Sequence, residues 1–251
     1  MTVPLARALS KLGLATRTDA RALVESGRLR VDGRKVVDPR LRVVPERVRL
    51  EIDGRPIDPP ASVTIALHKP RGVVTTRRDP AGRRTVYDLI ADLPHHVVPV
   101  GRLDYATSGL LLLTNDTRLA DWLTDPANEV PRVYLVTARG RVTENDARAM
   151  EEGVVSRGER LCARQITVRK ASNRESHLVV ELVEGRNREV RRLLSALGHE
   201  VSRLRRVQFG GLTLGQLEPG AWRIVSAGEL LDAFPSASVR RKHLQRRGSA
   251  R

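Results

Sequence analysis

Four consecutive leucines, Leu110–Leu113, stand between Gly109 and Thr114 in VGRLDYATSGLLLLTND, Val100–Asp116. A short unbroken aliphatic run bounded by turn residues has to become a buried strand. The entrance to that strand is unexpected. Asp104 follows Arg102 and Leu103 in a tight, Gly-flanked turn, in a chain otherwise crowded with arginine. The plain reading is that an aspartate in a turn caps the next element. An acid beside a buried aliphatic strand also loses solvation, however, and needs a cation or hydrogen bonds to hold its charge.

The surrounding chain is strongly basic, with 45 Lys+Arg against 29 Asp+Glu and a formal net charge of +16 over 251 residues. Such a balance implies a polyanionic partner, nucleic acid first and an anionic membrane surface second. No apolar run is long enough to span a bilayer, and the N-terminus lacks the apolar core of a signal peptide. Cys162 stands alone, which excludes internal disulfides and a cysteine-based zinc cage. An aromatic content of 3% argues against single-strand binding by rows of stacked rings. Composition therefore implies a soluble, cytoplasmic, polyanion-binding protein, and it is silent on chemistry.

The N-terminal stretch reads as a compact unit over residues 1–57. Leu5, Leu9 and Leu12 recur at helical spacing and Gly13 ends the pattern; Thr16 caps a second helix with Asp19 three residues on, and Gly27 stops it. Asp32-Gly33 and Asp53-Gly54 then mark hairpin turns. Arg7, Lys11, Arg17, Arg21, Arg28 and Arg30 gather around the two helices as a candidate phosphate-contacting face, the alternative being solvated charge. The order of elements in LSKLGLATRTDARALVESGRLRVDGRKV resembles the S4 RNA-binding domain over roughly Leu5 to Asp53.

Residues 58–62 close a Pro-rich stretch that reads as a linker. From 63 to 234, strand-like runs (VTIALHKP, GLLLLT, VYLVTARG, HLVVELVEG) mix with helical ones (TRLADWLTD, TENDARAMEEG, REVRRLLSALG) without strict β-α-β alternation. That favours an α+β sheet over a doubly wound one. Residues 235–251 form a basic tail expected to be disordered.

For chemistry, the six histidines show no metal-ligand spacing, and no Walker loop, dinucleotide glycine motif or G-x-S-x-G is present. Ser108 has no histidine partner at a recognisable distance. Asp104 remains, and a cationic helix in EGRNREVRRLLSALGHEV supplies a partner for it. Val190, Leu193, Leu194 and Leu197 line one face of that helix, with Arg191 beside the stripe. From there Arg191 can meet a carboxylate in a two-pronged pair that keeps it ionised and aimed. Arg186, Arg188 and Arg192 read as phosphate contacts.

Taken together, GRLD-x-x-TSGLLLLTND, HKPRGVVTT, DPANEVPRVYLV and EGRNREVRRLLSALGHEVSRLRRVQFGGL are similar to the motifs of the pseudouridine synthases, in the RsuA/RluB branch that carries an N-terminal S4 domain. The four blocks fall in that family's order, and with the S4 segment they span the chain to about residue 230. The resemblance implies a mixed, mostly antiparallel sheet and isomerisation of a uridine in ribosomal RNA, with no cofactor and no metal. It implies Asp104 as nucleophile, Arg191 as its ion-pair partner and Tyr134 as the ring against the target base, with Lys69 and Arg102 among the RNA contacts. Two positions depart from the pattern: Arg132 stands where the family commonly has Lys, and Glu189 where many members have Gln. The wording of the closing motif, with TTRRDPAGRRTVYDL, is nearer to members acting on the large ribosomal subunit, so 23S rRNA is the expected substrate and 16S rRNA the alternative. A monomer working on an assembling subunit is the default. The rival class is a non-catalytic S4-type assembly factor, which accounts for the charge but leaves the GRLD turn without a reason.

Overall fold

The computed structural model describes residues 2–45, 47–58 and 60–237, so most of the expected basic tail lies outside the described residues. In chain order the elements are β1 (Val3–Pro4), α1 (Leu5–Lys11), α2 (Arg17–Glu25), β2 (Leu29–Val31), β3 (Arg34–Lys35), β4 (Arg42–Val43), β5 (Leu50–Ile52), β6 (Arg55–Pro56), β7 (Thr64–Lys69), β8 (Val98–Pro99) and β9 (Ser108–Thr114). There follow α3 (Thr117–Thr124), β10 (Arg132–Arg139), α4 (Glu144–Glu152), β11 (Val154–Ser156), β12 (Glu159–Leu161), β13 (Gln165–Ala171), β14 (Glu175–Leu182), α5 (Glu189–Ala196), β15 (Val201–Phe209), β16 (Leu212–Thr213), β17 (Trp222–Ile224) and α6 (Ala227–Ala233). The fold is α+β. Backbone contacts group Met1–Thr64, Asp92–Val98 and Leu113–Ala120 into one compact unit, and Ile65–Ala91, Pro99–Leu112 and Asp121–Arg251 into a second.

In the first unit, Thr16 caps α2 as its sequence predicts: its hydroxyl oxygen accepts the Asp19 N–H at 3.0 Å. Leu5, Ala8 and Leu9 of α1 pack on Ala20 and Val24 of α2, and on Leu29, Val31 and Leu50 of the sheet beneath. That sheet runs β3-β2-β5-β6. Both Asp-Gly pairs turn in the left-handed region, with φ of 50° and 82° at Asp32-Gly33 and 50° and 77° at Asp53-Gly54. Those angles suit the tight hairpins that Asp-Gly favours.

The nine-stranded sheet has the path β13-β14-β10-β15-β9-β7-β17, with β16 beside β15 and β8 beside β9. β13, β14, β10 and β15 run antiparallel to one another in that order, β15 meets β9 in parallel, and β17 is antiparallel to β7. All four leucines of β9 are fully buried, as the aliphatic run requires. Along β10 burial alternates, so one face of that strand packs inward and the other stays wetter. β15 is adjacent to both, and its approach to β9 is unusually close. An added Cβ on Gly109 (φ +113°) would lie 2.1 Å from the Arg206 carbonyl oxygen. The Thr-Asn of TND is structural: the Thr114 hydroxyl donates to Val63 O (2.8 Å), and Asn115 Oδ1 accepts the Val63 N–H (2.8 Å).

Candidate active site

Asp104 sits on a turn that is held from several directions. The Val100 N–H donates to Leu112 O (2.8 Å), and Gly101 turns with φ +71°. The Thr75 hydroxyl donates to Leu103 O (2.9 Å) and accepts the Leu103 N–H (3.3 Å), so one side chain satisfies both backbone groups of the residue before the acid. Asp104 O accepts the Thr107 N–H (3.0 Å), and Tyr105 O accepts the Gly72 N–H (2.9 Å). Leu103 is buried, while the Asp104 side chain keeps 32% of its exposure. The carboxylate is therefore reachable from the opening beside it.

That opening is a cavity of about 240 Å³ within the second compact unit, lined by Asp104, Thr107, Arg132, Tyr134, Leu182, Arg186, Arg188, Val190, Leu204, Arg206 and Phe209 among others. Tyr134, 9% exposed, lines it from the third position of β10. Arg132 and Arg206 are buried at the same wall, their guanidinium carbons 5.0 and 4.9 Å from the centre of the Phe209 ring. Arg132 donates to Val130 O, Val183 O and Leu123 O, which uses its fork to tie three segments together. The family's usual Lys could not spread three such bonds in a plane. The Arg206 Nε donates to Leu110 O at 2.8 Å.

The cations around Asp104 are arranged differently from the sequence expectation. The direct ion contact is Arg188 Nη1, 3.8 Å from the carboxylate, and not Arg191. Arg188 stands at the N-cap of α5 in the left-handed region (φ 51°), which turns its side chain out of the helical course. Arg191 donates instead to Val201 O (2.8 Å) and Ala106 O (3.4 Å), and so grips the turn that carries Asp104 by its backbone. Burial and the neighbouring Arg188 lower its pKa, while the Asp104 charge acts in the opposite direction. Arg191 is therefore within electrostatic reach of the acid without the two-pronged pair.

Lys69 needs a firmer correction. Expected both to shape the site with Pro70 and to stand among the RNA contacts, it is fully buried, which leaves it no RNA contact, and donates to Thr107 O (2.8 Å) and Pro70 O (3.0 Å). Burial pushes its ammonium down to about 8, partly offset by the Asp104 charge. It is a strut of the turn. Arg192 is likewise engaged inside the fold, with Glu159 (2.7 Å) and Ser156 O (2.7 Å). Arg186 pairs with Glu184 and donates to Arg160 O (2.9 Å), while its own N–H donates to the buried Glu189 carboxylate (3.1 Å). Arg102 is exposed beside the turn.

Within the first unit, Arg7 and Arg30 are exposed and Lys11 is half-buried. Arg21 and Arg28 are exposed but paired with Glu25 (2.7 Å) and Asp53 (2.5 Å), and the side chain of Arg17 lies outside the described residues. Exposed pairs of this kind hold little free energy and can open to a phosphate. Among the described residues no cluster of three or more His, Cys, Asp or Glu could hold a metal, and no helix is long and apolar enough to cross a membrane.

Three residues that the sequence reading passed over matter here: Thr75, Arg206 and Phe209. Thr75 was visible as the Thr of HKPRGVVTT, but its bracket on Leu103 joins positions 28 apart. No local pattern reports such a contact.

Residues 63–196 match the RNA pseudouridylate synthase family, and residues 3–48 match the S4 domain. An uncharacterized RNA pseudouridine synthase of Aquifex aeolicus is 37% identical over 96% of this chain and 97% of its own length. Ribosomal large subunit pseudouridine synthase B of Bacillus subtilis is 32% identical over 90% of this chain and 93% of its own. A crystal structure of a pseudouridylate synthase superposes with a TM-score of 0.62 at 26% identity, covering 91% of this chain and 98% of that one. With an acid at the wall of a cavity in the second unit, an S4 domain matched at the N-terminal end, and relatives matched over nearly their whole length, the chain belongs to the RNA pseudouridine synthase family.

Proposed function

We propose that this enzyme converts one uridine of 23S rRNA to pseudouridine, with Asp104 as the nucleophile. The observation that carries the assignment is the half-exposed Asp104 carboxylate at the cavity wall, in a turn fixed by Thr75, Lys69 and Arg191. The substrate choice follows the large-subunit synthase of Bacillus subtilis and the wording of the closing motif.

The target uridine is first extruded from folded RNA, at a cost of about a few kcal/mol. Exposed cations at Arg7, Arg30 and Arg102 help to offset it through phosphate contacts. Asp104 attacks the extruded nucleotide at ribose C1′ or uracil C6, and the bond its carboxylate oxygen forms breaks again before the product leaves, which returns the free carboxylate. The N1–C1′ bond breaks with its electron pair on the uracil, the ring turns, and C5 bonds to C1′. C5 loses its proton and N1 gains one, so the product is an isomer, and the balance requires no redox partner or group donor. Tyr134 packs on the uracil and assists removal of the C5 proton. Arg188 holds the carboxylate charge at close range, while Arg191 and Lys69 fix the backbone that follows it and Thr75 the residue before it. The protein acts as a monomer in the cytoplasm, on a subunit still being assembled.

The test is Asp104→Asn. It alters one charge among many, so RNA affinity is expected to stay near that of the parent while pseudouridine formation disappears. Chemical mapping of 23S rRNA from a deletion strain complemented with either form reads this out. Restoration of the modified site by the Asn variant would remove Asp104 from the chemistry.

A further inference from the structure

Tyr105, directly after Asp104, differs from every other aromatic residue of the chain. The 2 Trp, 3 Tyr and 2 Phe all fall within the described residues. Tyr134, Phe209 and Phe234 are buried, and Tyr87, Trp122 and Trp222 are half-buried. Tyr105 alone is exposed, at 48%. A chain so poor in rings has thus left one in solvent, at the residue next to its candidate nucleophile.

The ring is also held. Its backbone carbonyl accepts the Gly72 N–H at 2.9 Å, within a turn pinned through Leu103 and Thr107. The Arg83 guanidinium lies over it, 5.6 Å from the centroid. Arg83 is itself fixed by Asp79, with Nη2 2.7 Å and Nε 3.0 Å from the carboxylate and the backbone N–H 2.9 Å away. A ring backed by an anchored cation is a preformed surface, ordered before anything binds. Exposed Arg102, three residues before it, and exposed Arg71, next to the Gly72 that donates to its carbonyl, suit the phosphates of a nucleotide seated there.

Extruding a uridine leaves its neighbour with one face unstacked. Any nucleobase can recover that loss on an aromatic ring, because every base has a π-face. We propose that Tyr105 is the stacking platform for the unpaired nucleobase next to the target uridine. The proposal rests on the reading of Asp104 only for where the target lies.

The experiment compares full-length parent, Tyr105→Ala, Tyr105→Phe and Tyr105→Trp on 23S rRNA purified from a deletion strain, measuring Kd together with kcat and KM. One stacked base corresponds to about five- to a hundredfold in binding. Tyr105→Ala is therefore expected to raise Kd and KM by a factor in that range with kcat nearly unchanged. Phe and Trp, which keep the ring, are expected to stay close to the parent. Parental Kd and KM for the Ala variant would overturn the proposal. So would an equal loss for Phe, which would assign the effect to the hydroxyl, or a fall in kcat alone, which would mean that Tyr105 acts by placing Asp104. Repeating the Kd series in the Asp104→Asn background separates the two readings. An active Asn variant would sink the nucleophile, while the Ala-against-Phe difference in Kd would still decide the stack.

Discussion

Replacing Gly109 by alanine is the sharpest probe of what holds the site's sheet together. Gly109 has φ +113°, and a Cβ there would lie 2.1, 2.6 and 2.8 Å from the Arg206 O, N and C. These are backbone atoms of β15, the parallel partner of β9, and cannot swing aside as the end of a side chain would. Relief needs β15 to move by about 1 Å, since ordinary contact begins well above 3 Å. That movement strains the pairing at Arg205↔Ser108 and Arg206↔Gly109 and the Arg206–Leu110 bond. Two or three weakened hydrogen bonds cost about 1 kcal/mol each, and the left-handed backbone adds about 1–2 kcal/mol for a residue with a Cβ. The expected loss is about 4 kcal/mol, or a fall in Tm of about 8–16 °C for a chain of this size. Gly140→Ala supplies the control: Gly140 also has positive φ (+75°), but its Cβ would meet nothing within 4 Å, so only backbone strain remains. Urea melts of the two variants against the parent measure the difference. A Gly109→Ala variant no less stable than Gly140→Ala would refute the close-approach reasoning.

Two further predictions concern buried charge. The ordinary Lys69 value of 10.5 falls to about 8 in the folded protein, so between those pH values the unfolded chain holds a proton that the native state has released. Stability should climb with pH across that window by about 3 kcal/mol relative to Lys69→Met, and parallel pH–stability curves for the two proteins would contradict it. Burial raises the Glu189 pKa above its ordinary 4.5, so its stabilising contribution is complete below 4.5 and is lost as pH rises through the raised value. Glu189→Gln keeps an acceptor for the Arg186 N–H without that charge. It should be at least as stable as the parent at pH 8 with turnover retained, and a destabilised or inactive Gln variant would show that the charge itself is needed.

The local signals were strong where one element decides its own shape. Four leucines in a row could only be a buried strand, Asp-Gly pairs could only turn tightly, and the Thr16–Asp19 cap followed from spacing alone. β15 escaped the reading because Arg203, Arg205 and Arg206 break the apolar pattern of VSRLRRVQF. The strand survives because Arg206 is buried against Phe209 with its Nε on a backbone carbonyl, a condition that exists only once β9 is in place.

The amino-acid sequence by itself determined the two element patterns, the strongly basic charge and the place of Asp104 in a Gly-flanked turn before a buried strand, since each depends on composition or short-range spacing. The cations around that residue were decided by the tertiary structure. Arg188, Arg191 and Lys69 all come near Asp104, yet Arg188 pairs with the carboxylate while Arg191 and Lys69 donate to the carbonyls of Ala106 and Thr107 just after it. The reason is geometric: a left-handed Arg188, the start of α5 and the end of β7 set donor directions to within an ångström, and hydrogen bonds discriminate at that scale.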